Sequence, residues 1–584
     1  MSSLTSALSV AQNGLGVIEQ QISITSDNIT NANKPGYTRE TFTPDFITSG
    51  TVTQAVGGQI NSAIDANLDS LIINQNSDTQ QLGVINTYLQ AYDNNLGSTD
   101  STSSTTLSAG LSSLNSAISS LASNPSLSSA KSTVVVNAQN IASQLNGLSA
   151  DVQNARLAVN QQIGTSVTTV NTTLDDLASL NAQFGNATAN TNLPALENQQ
   201  NQDLQTLSGL MGIQYNYGGN NQLQIYTTSG ELLVAGSTAN HLSYTPSPTM
   251  SSQTTYPAEI SGITVQGRDI TDNITTGALG GLVQLRDTIF PNEQDKLDTF
   301  ATTLQNTVNA AVNAGASIPS RTTVTGSATV SLGDAFSSNV PSPSDITVAL
   351  TDSKGTVQGT SGPIDISAFG SVNDVVTALN GIPGITATIN NNGNLSITST
   401  NPSYGISIND AGTSVGSNSQ GFSDYFGLNN LFDSTRGASD IHVSSYLQSN
   451  PAYLAVGTLN TTATVGTAGI TAGDNSAMNA AYTALTNPVS IGAAGDFPAQ
   501  TATLSNYVSA IIAGVATSAS NALTQSTNSQ SILAGLQSTS SNENGVNIDQ
   551  ETADSVALEN SYNATAKIIS TVAAMFQSLL QAIT

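Results

Sequence analysis

Apolar side chains recur at alternating steps of four and three at both ends of this chain. Leu4, Leu8, Ala11, Leu15, Ile18, Ile22, Thr25 and Ile29 do so near the start, and Leu558, Tyr562, Thr565, Ile569, Val572, Phe576, Leu579 and Ile583 near the finish. That spacing places each set on one stripe of an α-helix, the seam that a coiled coil buries. A helix of about 27 residues would reach roughly 40 Å. Neither run has a neighbour in sequence to pack on. Each is expected to pair with the other, or with another copy of the chain, as an assembly subunit would.

Between the ends the pattern changes several times. Ile64, Leu68, Leu71, Leu82, Ile85, Leu89, Tyr92 and Leu96 predict a helix, and a shorter one around Leu111, Leu114, Ile118 and Leu121 ends near Pro125. Residues 131–184 lack proline and carry helical spacing throughout, which predicts one or two long helices with Gly147 and Gly164 as weak points. Alternation begins near Ile213 and predicts a hairpin around Ser229-Gly230. Helical spacing returns at Leu282, Leu285, Ile289, Leu297, Phe300, Leu304 and Val308. Residues 318–480 are rich in Gly, Ser, Thr and Pro. Their clearest hairpin joins Ile385–Ile389 to Leu395–Thr398 through Asn392-Gly393, a pair suited to a tight turn, with a short helix from Val372 to Leu379 before it. Leu504, Val508, Ile511 and Val515 resume the helical pattern.

The resulting expectation is an α+β multidomain chain with a terminal α-helical coiled coil, a long-helix bundle domain and an inserted β-rich domain. Residues 1–40 would form one half of the coil and 545–584 the other. Residues 41–317 would be a helical rod domain with a β subdomain near 213–275, residues 318–480 the insert, and residues 481–544 the returning helices. This near-symmetric order suggests a hairpin-like chain whose two ends form one rod.

Composition narrows the function. Charged residues make up 8% of the 584, against about 25% in ordinary globular proteins. The net charge is −27 with a pI near 4.1. Nucleic acid requires clustered cations to displace counterions, and an anionic membrane would repel such a chain, so neither is expected as a partner. Cysteine is absent, which removes disulfides, thiolate metal sites and cysteine nucleophiles. The opening Met-Ser-Ser-Leu-Thr-Ser-Ala-Leu has neither a basic nor a continuous apolar region, so no cleaved signal peptide is expected. The tail from Ile568 to Ile583 is too short and too often polar for a membrane span. Solvated coiled coils carry many flanking charges, yet residues 4–29 hold only Glu19 and Asp27. Their flanks are therefore expected to pack on further protein.

Catalytic chemistry is nearly absent. His241 and His442 lie far apart in strand-like text, and no metalloprotease, phosphate-loop, nucleophile-elbow or calcium-loop motif occurs. Asp175-Asp176 falls on a predicted helix, where a solvated face is the default. The chain is expected not to be an enzyme, with no cofactor and no metal site.

Four segments point to a family. The first runs from Ser26 to Arg39, in which Asn28 and Asn31 end a helix and Pro35, Gly36 and Tyr37 turn the chain before Thr38-Arg39. The second is Gly277-Ala-Leu-Gly280-Gly281-Leu-Val-Gln-Leu-Arg286-Asp287. The others are Phe422–Phe432 and Gly545–Glu551. Together they resemble the flagellar axial proteins of bacteria, and within them the hook-associated members at the hook-filament junction; Thr30 stands where that family usually has Ala. The resemblance implies a structural subunit exported through the flagellar type III apparatus and residing extracellularly on the flagellum. The partners it implies are copies of itself, the hook protein, a second hook-associated protein on the filament side, an export chaperone and the export apparatus. Pro35 and Gly36 would then hinge the coil, Gly280-Gly281 would start a helix or permit close packing, and Arg286 with Asp287 would form a local ion pair or cap. Another axial subunit, either a second hook-filament adaptor or a flagellin, stays open, as does a secreted adhesin or wall-acting protein on an axial-type scaffold.

Overall fold

The computed structural model describes residues 2–32, 34, 37–49, 52–62, 65–97, 106–188, 193–218 and 222–583. Helix α1 (Ser2–Asn31) leads into a two-stranded hairpin, β1 (Glu40–Ser49) and β2 (Val52–Ser62). Four helices follow: α2 (Ala66–Leu96), α3 (Leu107–Ser123), α4 (Ser128–Gly185) and α5 (Leu193–Leu210). Short strands between Ile213 and Asp269 precede α6 (Gly277–Gln284), a π-helical turn at Leu285–Ile289, and α7 (Phe290–Asn313). The β-rich stretch beyond carries α8 (Val372–Asn380), α9 (Phe422–Phe426) and α10 (Ser445–Ser449). Helices α11 (Ser476–Thr486), α12 (Leu504–Asn544) and α13 (Ile548–Ile583) complete the chain. The pairing is nested, with α1 lying on α13 and α2 on α12. Such nesting needs matched helices at both ends of the sequence.

Helix α4 is the spine of the bundle. It runs unbroken for 58 residues, which at 1.5 Å per residue is roughly 87 Å. Val134, Ala138, Ile141, Leu145, Val152, Val159, Ile163, Val170, Leu174 and Leu177 are all inaccessible to solvent. The expected weak points do not break it: Gly147 faces open space, and a Cβ on Gly164 would come within 2.7 Å of Pro246. Gly164 is thus a close-approach residue. Asparagines on α4 hold the neighbouring chain by acting as substitute peptide groups. Asn181 Nδ2 donates to Leu223 O at 2.8 Å, while its Oδ1 accepts from Leu223 N at 2.7 Å. Asn171 treats Leu242 the same way, at 2.8 Å in both directions. Asn146 donates to the carbonyls of Ala438 and Ile441. An uncharged amide satisfies buried backbone without bringing a charge inside, which gives this charge-poor, Asn-rich sequence a structural use.

Two stretches differ from the sequence pattern. Residues 40–62, expected to continue straight into the helical domain, form a hairpin that packs back on α1. Its alternation is obscured by Pro44, Gly57 and Gly58 and by a register shift between Asp45 and Phe46. Not all of 318–480 packs as the insert, although Leu459 and Ile470 return to its strand residue Ala349. A separate core built from Val324, Ile346, Val348, Val375, Leu395, Ile397, Phe422, Phe426 and their neighbours ends at Leu428. Leu431, Phe432, Ile441, Val443, Leu447 and Leu454 instead join the core of the helical bundle. Within the insert, one sheet orders its strands Thr323–Thr329, Asn394–Ser399, Ile385–Ile389, and the other Val357–Asp365, Asp345–Thr351, Gly405–Asn409. The expected hairpin pairs Ile385 with Ser399 through Ile389 with Leu395, and Gly393 in its turn takes a φ of 80°. Among the described residues no helix is long and apolar enough to cross a membrane.

Candidate functional site: the paired chain ends and their joint

The heptad stripe of α13 is visible in its burial. Leu558, Tyr562, Thr565, Ile569, Val572, Phe576 and Leu579 are buried or half-buried, and from residue 552 to 581 only Ser555 and Ala566 join them. On α1 every stripe position from Leu4 to Ile29 is at least half-buried. Ala11, Ile24 and Thr25 are the most enclosed apolar or hydroxyl side chains there. α1 is covered more broadly than α13 because the β1–β2 hairpin also lies on it. The side chain of Ile583 lies outside the described residues. Beyond the seam, α13 leaves Ile568 52%, Met575 51% and Leu580 63% exposed. These three sit beside the stripe at positions the single chain does not cover.

The two helices meet the rest of the molecule at a polar joint. Asn28, 1% exposed near the end of α1, is its hub. Its Nδ2 donates to Glu40 O at 2.8 Å and to Glu551 Oε2 at 3.2 Å. Its Oδ1 accepts from Glu40 N at 2.9 Å and from Tyr37 Oη at 3.1 Å. Arg39 Nε meets Glu551 Oε1 at 2.5 Å, and its Nη2 lies 3.5 Å from Asp554. The Arg39 amide donates to Asn544 O at 2.8 Å. One residue earlier, Thr38 donates to Asn198 Oδ1 from both its amide (3.1 Å) and its hydroxyl (3.0 Å), tying the joint to α5. Asn31 caps its own helix by donating to Asp27 O at 2.9 Å. Pro35 and Gly36, expected as the hinge, lie outside the described residues.

Burial shapes the acids here. It raises the Tyr37 hydroxyl well above its ordinary range, with help from the carboxylates of Glu40, Asp27 and Glu551. It also pushes Glu40 up to about 7, with Asp27 and Glu197 adding to the shift and the Asn198 amide opposing it. Glu40 and Asn198 were not among the candidates drawn from sequence. Glu40 starts a strand whose alternation is broken, and Asn198 is one polar residue among many on α5.

Comparison with known proteins finds partial matches. A model of the flagellar hook-associated protein FlgK helical domain matches residues 89–327. Flagellar hook-associated protein 1 of Salmonella typhimurium is 27% identical over 322 residues, covering 53% of this chain and 56% of that protein. Over that span the chain is similar to flagellar hook-associated protein 1. The Escherichia coli K12 protein of that name is 26% identical over 325 residues, covering 53% of this chain and 58% of its own length. The chain thus spans a little over half the length of these hook-associated relatives. The solved structure of the flagellar hook junction protein FlgK from Burkholderia pseudomallei matches with a TM-score of 0.47 and 16% identity, over 80% of this chain and 99% of that one.

The FlgK-type helical domain contains the second motif. A Cβ on Gly281 would lie 2.7 Å from the Gln81 carbonyl, so α6 touches the backbone of α2 there. Gly280 is equally close, at 2.6 Å, to the Thr275 carbonyl carbon before its own helix, and Gly277 opens that helix at a φ of 76°. Arg286 and Asp287 occupy the π-helical turn, a form that often marks a specialised point in a helix. Arg286 is inaccessible and grips Asp287 through Nε at 2.8 Å and Nη2 at 2.5 Å. Its Nη1 donates to Tyr244 Oη at 2.8 Å, and the rings of Tyr244 and Tyr256 lie 5.7 and 5.5 Å from the guanidinium. Such a fork-and-ring cage compensates a buried cation and locks the short strands onto the bundle. Here the expected local ion pair is therefore a core element rather than a surface contact. His241, by contrast, is exposed and meets Asp175 at 2.8 Å.

Proposed function

We propose that this chain is a structural, non-enzymatic subunit of the bacterial flagellum that joins hook to filament. It assembles with copies of itself through its paired terminal helices, Leu4 to Ile29 against Leu558 to Ile583, after passing through the flagellar type III export apparatus with a chaperone on the C-terminal helix. Its neighbours at the junction are the hook protein and a second hook-associated protein. The observation that carries this reading is the terminal helix pair, which leaves Ile568, Met575 and Leu580 uncovered. Apolar side chains flanking a filled seam call for further helices around it, as in a tube wall, and the relatives named hook-associated protein 1 supply the setting. The joint around Asn28, Arg39 and Glu551 would set the angle between that wall and the outer domains.

Localisation tests the reading. Labelled protein on purified flagella is expected as a single band at the distal end of the hook. Label distributed along the whole filament would favour a flagellin-like role, and its absence from flagella would overturn the proposal.

A further inference from the structure

Glu40 is a buried carboxyl, 4% exposed, in an acidic setting. Its Oε1 accepts from Asn198 Nδ2 at 3.3 Å, and its Oε2 has no hydrogen-bond partner. Directly, or through Asn28 and Arg39, it is linked to groups from four stretches of the chain. Asp27 and Asn28 belong to α1, Tyr37 and Arg39 to the connection before β1, Glu197 and Asn198 to α5, and Glu551 and Asp554 to α13. Arg39 is the cation in this ring and is committed to Glu551 and Asp554. Glu197 is committed to Ser62, whose hydroxyl donates to it at 2.6 Å. Among the described residues no three His, Cys, Asp or Glu side chains come together to hold a metal ion. A solvent-excluded carboxylate oxygen with neither donor nor cation is strongly disfavoured, and a proton on it removes the difficulty.

We infer that the joint between the terminal helix pair and the helical domain is a proton-sensitive latch, closed while Glu40 carries its proton and loosened when Glu40 ionises. The connection that leads into Glu40 bears Thr38 and Arg39, which make the cross-links to α5, α12 and α13. An ionised Glu40 would face Asp27 and Glu197, and swinging the connection outward would hydrate it. The linkage sign follows from where the proton binds more tightly. The closed joint holds it up to about pH 7, whereas an opened, hydrated glutamate releases it near its ordinary value of about 4.3. Raising the pH through this window therefore favours opening, and the effect is complete above the closed-state value. The inference concerns a single chain and does not depend on the flagellar reading.

Hydrogen exchange on the full chain tests it, after correction for the intrinsic pH dependence of exchange. The amides of Thr38, Arg39 and Glu40 are bonded to Asn198, Asn544 and Asn28. Their protection is expected to fall roughly tenfold between pH 6 and pH 8, while amides in the middle of α4 stay unchanged. Glu40→Gln should abolish that fall. A second readout is the 13C carboxyl titration of Glu40, expected near neutrality and shifted down in Asp27→Asn. Flat protection in the wild type, no protection even at pH 6, an undiminished fall in Glu40→Gln, or a Glu40 midpoint below about 5 would each overturn the latch.

Discussion

Arg39 and Glu551 meet at 2.5 Å although 512 positions of sequence separate them. Glu551 is 1% exposed and shares its other oxygen with the Asn28 amide, at 3.2 Å. One ion pair therefore joins the connection that follows the first helix to the head of the last. Such a contact fixes how the two ends leave the molecule.

Arg39→Ala should strand Glu551 with a single amide partner. The side chain of Arg39 is 30% exposed, so water replaces part of what is lost. A local destabilisation of about 2 kcal/mol is expected rather than the larger loss from breaking a fully buried pair. Exchange at the amides of 38–40 should accelerate roughly thirtyfold, while the thermal midpoint of the helical domain holds. Unchanged exchange would mean the pair contributes nothing to the joint.

Phe576→Asp and Ile18→Asp each place an unpaired charge on a terminal seam. Both should leave the bundle and the insert folded, because neither residue belongs to their cores. Assembly should fail, since a buried charge without a partner opposes association by several kcal/mol. The check is circular dichroism and unfolding on monomer, set beside motility and filament retention in cells. Normal motility from both variants would contradict the proposed assembly role.

Asn181→Ala removes the side chain that pairs with both backbone groups of Leu223 and also donates to Gly236 O at 2.9 Å. The buried Leu223 amide is left without a partner, which predicts a loss of about 2–3 kcal/mol in denaturant unfolding. Asn137→Ala is the control. Its side chain only returns to Thr133 O on an exposed face, and a change below about 0.5 kcal/mol is expected. Equal effects from the two would refute the view that asparagines on α4 serve as peptide substitutes.

Gly281→Ala would drive a methyl group against the Gln81 carbonyl, 2.7 Å away. Backbone cannot rotate aside as a side chain can, so α6 must shift off α2 at about 1–3 kcal/mol. Gly147→Ala meets nothing within 4 Å and, lying mid-helix, should stabilise α4 by about 0.5–1 kcal/mol. Opposite signs in thermal melts are the expected result. A stabilised Gly281→Ala would show that the helices do not touch there.

Legibility from sequence followed the range of the signal. Long helices were readable because their apolar period repeats many times: the stripes of α1 and α13, and the run from Val134 to Leu177, reappear as buried faces. The Asn392-Gly393 turn was readable because its backbone preference is local. The β1–β2 hairpin was not, since Pro44 and the paired glycines at 57 and 58 interrupt its alternation. Which part of 318–480 leaves the insert was hidden as well. Nothing in Leu431-Phe432 says which of two cores it joins, and Asn309 on α7 decides it by accepting from both amides.

The amino-acid sequence by itself determined that this chain has two heptad-patterned ends, a helical body, a β-rich insert and almost no charge with which to do chemistry. Each is a matter of period or composition, and both are written in adjacent residues. Only the tertiary structure decided that the two ends lie on each other within one chain, that Arg39 reaches Glu551, and that Glu40 is enclosed beside acids from two other segments. Burial and the company of distant charges depend on where the chain returns in space. No stretch of sequence carries that information alone, because the energy that selects it comes from contacts made hundreds of residues apart.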